Sequence, residues 1–279
     1  MGIVVGIDIG GSTTKIVGFD NNKMLIPVQI TASNPLASLF GGFGKFLYDN
    51  KLGIEDVAQV NITGVGSNQV DKSIYGIPTY AVDEFTANGL GGGFFAGNKK
   101  EFIVISMGTG SSYVGVKNGV PEHLGGIGIG GGTIVGLSKL MLSTGDTDKI
   151  IDLASHGDVG KIDLRVGDIS ANPLPGLDLD VTASNFGKAS SRANCEDKAA
   201  GITHMVIETI MQTAALIAIS RGFKDLIAIG NVINFGGIEK ITEMIKSMFP
   251  ELNFNIPEDG EYGTAIGAAL AKENLKEIK

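Results

Sequence analysis

Ile3-Val4-Val5-Gly6-Ile7-Asp8-Ile9-Gly10-Gly11-Ser12-Thr13-Thr14-Lys15-Ile16-Val17-Gly18-Phe19-Asp20 is the stretch whose reading decides the fold. Residues 3–8 form an apolar run that reads as a buried strand, and residues 14–20 read as a second. The link between them is short and glycine-bearing, so the two strands pair as a hairpin. The turn is not a P-loop, because the GxxxxGK[ST] spacing is missing. It is not the dinucleotide fingerprint, because a strand and not a helix follows. A tight turn with Gly10 and Gly11 lets backbone N–H groups converge on phosphate oxygens. Ser12, Thr13 and Lys15 add donors and a positive charge, and Asp8 at the strand end is placed to hold Mg2+ through water. Taken alone, the same residues also fit an ordinary glycine hairpin with Asp8 as a turn residue.

The unit recurs. Residues 102–106 (FIVIS) and 112–117 (SYVGVK) are strands around Gly108-Thr109-Gly110-Ser111-Ser112. Two such turns facing one another would clamp a polyphosphate from both sides, which makes the pair far more specific than either alone. A third glycine run, Gly125 to Thr133, leads into a helix over 133–143, whose N-terminus would offer free N–H groups and the positive end of its dipole. Gly230-Asn231 ends a strand over 226–229 and could meet a base or ribose. A helix-entry turn explains it equally well.

Between these turns the periodicity predicts a third strand near 24–31 extending the first meander and a strand near 59–64. It predicts helices over 36–50, 84–95, 147–155, 196–221, 238–248 and 262–275, and a strand over 252–256. Strands alternating with helices, together with two hairpins, give an α/β protein with mixed sheets and two related halves. The first lobe is expected over 1–97 and the second over 98–279, with the last helix crossing back onto the first lobe.

Composition narrows the function classes. Glycine accounts for 42 of 279 residues, about twice the usual ~7%. These glycines sit in short runs between apolar segments, as loops approaching a ligand require. A net charge of −8 argues against a nucleic-acid surface. The single cysteine, Cys195, rules out an intrachain disulfide and suits a reducing cytoplasm. No secretory signal is visible, and no run is read as long and apolar enough for a membrane span. His156, near a helix end, reads as a cap, and His204 lies within the long helix. No zinc-site spacing appears.

The motifs DIGGSTTK (8–15), DEFTANGLG (83–91), GTGSS (108–112), GGIGIGGGT (125–133), SHGD (155–158), PLPGLDLDVTASNFG (173–187) and EYGTAIGAAL (261–270) run in order along nearly the whole chain. Together they resemble the type II pantothenate kinases, within the actin, sugar kinase and Hsp70 ATPase superfamily. The resemblance implies a two-lobed actin-like ATPase (ribonuclease H-like) fold with an interlobe nucleotide cleft. It implies ATP- and Mg2+-dependent phosphorylation of pantothenate to 4'-phosphopantothenate, the first step of coenzyme A biosynthesis. It places Glu84 as general base on the pantothenate hydroxyl. A carboxylate on the first turn of a helix can equally be a favourable charge at the dipole. ATP is expected at Gly10, Gly11, Ser12, Thr13, Thr14, Lys15, Gly108, Thr109, Gly110, Ser111, Gly130, Gly131, Gly132, Thr133, Ile134, Gly230 and Asn231.

The substrate is expected at His123, Gly126 and Arg192, with Asp8 on the metal. A homodimer through the long helix is implied too. One departure stands out: the family usually carries an arginine where this chain has His123, which lacks the permanent charge and the bidentate fork. Arg192 or Lys188 compensates only if the fold brings it close. The alternatives are a kinase for another small hydroxyl substrate and a non-catalytic nucleotide- or acyl-CoA-binding pseudokinase.

Overall fold

The two hairpins seed two sheets of the same design. The computed structural model describes every residue except 1, 22, 32, 33, 171, 173–177, 273, 274 and 279. The first five residues of the 173–187 motif therefore lie outside the described residues. The first half runs β1 (Ile3–Ile9), β2 (Thr13–Asp20), β3 (Lys23–Met24), β4 (Val28–Thr31), α1 (Pro35–Asn50), β5 (Val57–Thr63), β6 (Thr79–Ala81) and α2 (Glu84–Ala96). It continues through β7 (Glu101–Met107), β8 (Ser111–Lys117), β9 (Val120–Ile127), α3 (Gly131–Leu142), α4 (Thr147–His156), β10 (Leu164–Arg165), α5 (Val166–Ile169) and β11 (Thr182–Ser184). The chain closes with α6 (Cys195–Arg221), β12 (Asp225–Ile229), α7 (Ile238–Met248), β13 (Asn253–Asn255), α8 (Gly263–Leu270) and β14 (Lys276–Ile278).

The first sheet has the order β14-β6-β5-β1-β2-β3, with β4 also on β2, and the second has the order β13-β12-β7-β8-β9. In each, the opening strand is antiparallel to the strand after it and parallel to a later one: β1 to β2 and β5, β7 to β8 and β12. β10 and β11 pair apart from both sheets.

Side-chain alternation builds the layers. Ile3, Val5, Ile7, Ile9 and Ile16 face a cluster with Leu39, Phe43 and Phe46 of α1. From the opposite face of that sheet, Val17 and Phe19 meet Ala265, Ile266 and Ala269 of α8. Phe102, Val104, Val114 and Val116 face Phe85, Phe95 and Ala96 of α2. Ile103, Ile105, Met107 and Tyr113 point the other way, into a cluster with α6 and α7. Helix α1 starts where the Asn34 side chain accepts the Ala37 N–H and Pro35 presets the first turn. It stops at Lys51, which adopts the left-handed conformation at φ 57°.

Several elements differ from the sequence reading. The strand near 24–31 is two strands, because Pro27, between them, has no N–H for the ladder. β6 and β9 were not read from the sequence. The 125–133 glycine run divides, with Gly125 and Gly126 lying in β9 and the helix starting at Gly131. The last helix ends at Leu270, not near 275. Residues 276–278 instead add a strand antiparallel to β6, and Ile278 packs on the first core. Edge pairing and burial override the helical propensity of that segment. Helix α6 does have the length and apolarity of a membrane span, with mean hydropathy 1.5 over its best window. It is a core helix here: Ile202, Val206, Ile210, Met211, Ala214 and Ala218 are fully buried. The apolar face of the helix expected to carry the homodimer is thus used within the chain. The large hydrophobic residues that α6 leaves exposed are Leu216 and Ile219.

Candidate active site

The ends of the repeated hairpins meet. Ser12 Oγ and Thr109 Oγ1 lie 3.2 Å apart, so the two turns touch tip to tip. Asn231 Nδ2 donates to Thr13 Oγ1 at 3.0 Å, bringing in the third segment. Gly230 is required there. Its φ is +99°, and a Cβ would stand 2.6 Å from the Met107 carbonyl oxygen. A cleft of about 1240 Å³ opens around this junction. That exceeds the 300–1,000 Å³ usual for a single ligand, so it has room for a nucleotide and an acceptor together.

Asp8, Gly10, Gly11, Ser12, Thr13, Lys15, Glu84, Gly108, Thr109, Gly110, Ser111, Gly126, Gly131, Gly132, Gly230 and Asn231 all line the cleft. Thr14 points the other way along β2 and is buried. Ile134 is fully buried in the second core. The Thr133 hydroxyl accepts from Gly130 N–H and donates to the Gly128 carbonyl, capping its own helix. His123 is exposed on β9 and stacks on Phe85 with centroids 3.9 Å apart, next to Glu84 but outside the cleft lining. Arg192 is exposed in the loop before α6, also outside the lining. Lys188 is committed to Asp168 at 2.7 Å, so neither cation replaces the missing arginine in this conformation.

The expectation of free N–H groups at the start of α3 does not hold. Gly131 N–H donates to the Gly108 carbonyl at 2.8 Å and Gly132 N–H to the Thr109 carbonyl at 2.9 Å. A Cβ at Gly130 would lie 2.6 Å from the Thr109 carbonyl oxygen. The glycines there serve backbone-to-backbone packing that fixes the second turn onto the helix. The amides of Gly11, Ser12, Thr109 and Gly110 make no hydrogen bond among the described residues. The donors open to an anion are therefore on the turns, and the helix adds its dipole.

The electrostatics are concentrated in one corner. Asp8 and Lys15 face each other across the β1–β2 ladder. Burial pushes the Asp8 carboxyl above its ordinary range, against the pull of Lys15. Burial lowers the Lys15 ammonium, opposed by Asp8 and Glu261. Glu84 opens α2, behind the Asp83 cap that accepts the Thr86 N–H. Its carboxyl is raised first by burial, then by Asp8, then by Asp83. A carboxylate whose proton affinity is raised in this way suits proton acceptance during phosphoryl transfer.

The backbone that holds Glu84 is unusually close-packed. A Cβ at Gly91 of α2 would sit 1.9 Å from the Gly263 carbonyl oxygen, and one at Gly267 of α8 would sit 1.7 Å from the Ala87 carbonyl oxygen. Glu84 therefore rides on a helix pressed against α8. The sequence reading missed the cleft's other lining residues, among them Gln29, Thr31, Lys139, Asp146, Asn234, Phe235 and Thr264. Gln29 and Thr31 lie on β4, Lys139 on α3 and Thr264 on α8, and although Thr264 falls within the 261–270 motif, nothing local marks any of them as facing the cleft. The helical spacing of Thr147 to His156 was the only local signal near Asp146, which caps that helix by accepting the Lys149 N–H.

Comparison with known proteins places the chain in context. Residues 96–249 match the family model described as Fumble. The chain is 30% identical to a type II pantothenate kinase of Bacillus anthracis, over 98% of each protein. It is 31% identical to the type II pantothenate kinase of Bacillus cereus (strain ATCC 10987 / NRS 248), again over 98% of each. Among solved structures it is similar to the activator of the 2-hydroxyisocaproyl-CoA dehydratase from Clostridium difficile with bound ADPNP. The TM-score is 0.67 at 18% identity, covering 96% of this chain and 93% of the other. It is also similar to a ROK family glucokinase from Streptomyces griseus in complex with glucose and AMPPNP, with TM-score 0.58 at 14% identity, covering 96% of this chain and 98% of the other. These neighbours fix the fold as actin-like ATPase, with α/β lobes and mixed sheets.

Proposed function

The chain belongs to the type II pantothenate kinase family, and on that premise we propose that it transfers the γ-phosphoryl group of ATP to the hydroxyl of pantothenate, yielding ADP and 4'-phosphopantothenate. The observation that carries the reading is the convergence of both hairpin turns, Lys15 and Glu84 on one cleft. The nucleotide lies between the lobes 1–97 and 98–279, with its phosphates on the free amides of the turns. Lys15 compensates phosphate charge. Glu84 takes the hydroxyl proton as the oxygen bonds to the γ-phosphorus and the bond to the bridging oxygen of ADP breaks.

Among the described residues no three His, Cys, Asp or Glu side chains form a metal cluster. That donor set fits Mg2+, which is usually held by one or two carboxylates plus substrate phosphates and water. Asp8 is the residue that would hold it, and the metal would neutralise phosphate charge. The remaining residues of the expected site, His123 and Arg192, serve the pantothenate carboxylate only if acceptor binding or a second subunit brings them in. A homodimer is part of this reading. Its apolar surface would include Leu216 and Ile219 of α6, not the buried face of that helix. The reading also takes the protein as cytoplasmic. ADP release measured over a small panel of acceptors tests it: turnover with pantothenate above sugars and buffer is expected. Nucleotide binding without turnover of any acceptor would favour the pseudokinase.

A further inference from the structure

Asn88 is fully buried between α2 and α8, and only half of its amide is satisfied. Oδ1 accepts the Thr264 hydroxyl at 2.8 Å. Nδ2 has no partner. An orphaned buried donor costs about 1–3 kcal/mol, and native structures keep few of them without a use. Four residues before it on the same helix stands Glu84, and side chains at i and i+4 share one helix face. The Glu84 carboxylate makes no hydrogen bond among the described residues; only burial and the charges of Asp8 and Asp83 act on it. An unpartnered donor and an unpartnered acceptor thus lie one helical turn apart on α2: Glu84 lines the cleft, and Asn88 is buried in the α2–α8 contact, bonded to Thr264 of the cleft wall.

We propose that Asn88 is the positioning residue of the proton-accepting carboxylate: when bound ligands exclude water from the cleft, one oxygen of Glu84 docks on the Asn88 Nδ2–H while its other oxygen faces the acceptor hydroxyl. A carboxylate has lone pairs for both bonds. The Thr264 hydroxyl, itself on the cleft wall and 7% exposed, fixes the amide plane so that Nδ2 keeps one direction. The close α2–α8 contact holds the pair at constant distance. The charged groups acting on Glu84 are Asp8 on β1 and Asp83 on its own helix cap; Lys15 on β2 pairs across the ladder with Asp8. Both carboxylates disfavour the anion needed for proton acceptance, and a fixed neutral donor offsets them without adding a cation that would compete with Lys15 for phosphate. The inference rests on the kinase reading above and adds to it what aims the base.

The test is the titration of the Glu84 carboxyl carbon by 13C NMR, assigned by its loss in Glu84→Gln, in the complex with AMPPNP, Mg2+ and pantothenate. Removing a hydrogen bond to the charged form raises a carboxyl pKa. In Asn88→Leu, which keeps the number of side-chain heavy atoms and the branching at Cγ, the midpoint should move up by about one pH unit, the scale of one hydrogen bond to a charged group. The acid limb of kcat should move with it, giving roughly tenfold less turnover below the midpoint, while KM for ATP stays within about twofold. If Asn88→Leu does not fold, Asn88→Ser is read the same way: it keeps a hydroxyl for Thr264 and is too short to reach Glu84. A lower melting temperature with coincident Glu84 midpoints would overturn the proposal, leaving Asn88 a helix-to-helix link. If the unaltered protein does not turn over pantothenate, the substrate reading fails. The NMR comparison in the AMPPNP complex still decides the Asn88 contact.

Discussion

Gly91→Ala tests whether the placement of Glu84 depends on the contact between α2 and α8. The added Cβ would stand 1.9 Å from the Gly263 carbonyl oxygen, whereas ordinary contact begins at 3.4 Å. The shortfall is about 1.5 Å, and the obstacle is backbone, so no rotamer change relieves it. Helix α2 must lift off α8 by about that distance or tilt. Overpacking of this kind costs about 1–3 kcal/mol or more, offset by at most about 1 kcal/mol of helix propensity. Glu84 is two turns up the same helix, and a displacement near 1 Å can cost about 10²-fold in rate. We therefore expect a lowered urea midpoint and roughly 10²-fold lower kcat, with KM for ATP little changed because the phosphate turns lie on other elements. Gly93→Ala is the control. Its Cβ would meet only Phe102 Cζ at 3.7 Å, so it should stabilise by about 0.5–1 kcal/mol. The assays are urea unfolding followed by circular dichroism and coupled ADP release. A Gly91→Ala protein as stable and as active as the parent would refute the reasoning.

Glu84→Gln should keep nucleotide affinity and lower turnover by roughly 10²-fold or more; an unchanged kcat removes Glu84 from the chemistry. Because burial, Asp8 and Asp83 raise the Glu84 carboxyl above 4.5, and the base works deprotonated, activity should fall as pH drops through that raised value. Asp8→Asn removes a like charge and should move the acid limb of kcat downward, even though the substitution also weakens Mg2+ use; an unmoved or upward-shifted limb would contradict the coupling. With ATP saturating, His123→Arg should lower KM for pantothenate at pH 8, and an unchanged KM separates position 123 from the substrate carboxylate. Light scattering at micromolar concentration should report a dimer that Leu216→Asp with Ile219→Asp dissociates; a monomer in the parent protein ends the dimer proposal.

Much of this molecule was legible in the sequence. The apolar runs 3–8 and 102–106 set the strands, and the glycine turns between strands set the hairpins. These are local signals, because side-chain period and turn chemistry act within a few residues. The repeat of the hairpin and the spacing of the motifs carried the family and the candidate base. The sequence could not say that the amides opening α3 are spent on the second turn, since that depends on how closely two backbones approach. Nor could it divide the apolar face of α6 between an internal core and a partner, because hydrophobicity reports that a surface is buried and not what buries it. The end of the chain was misread for the same reason. The last helix, expected to run to 275, ends at Leu270, and residues 276–278, which the sequence reading left unassigned, form a strand only because the edge of β6, 195 or more residues away in sequence, is there to pair with. The pairing of Asn88 with Thr264, 176 residues apart, is likewise tertiary: two helices without a shared motif are pressed together by glycines, and one amide is left with an unpartnered N–H one helical turn from Glu84.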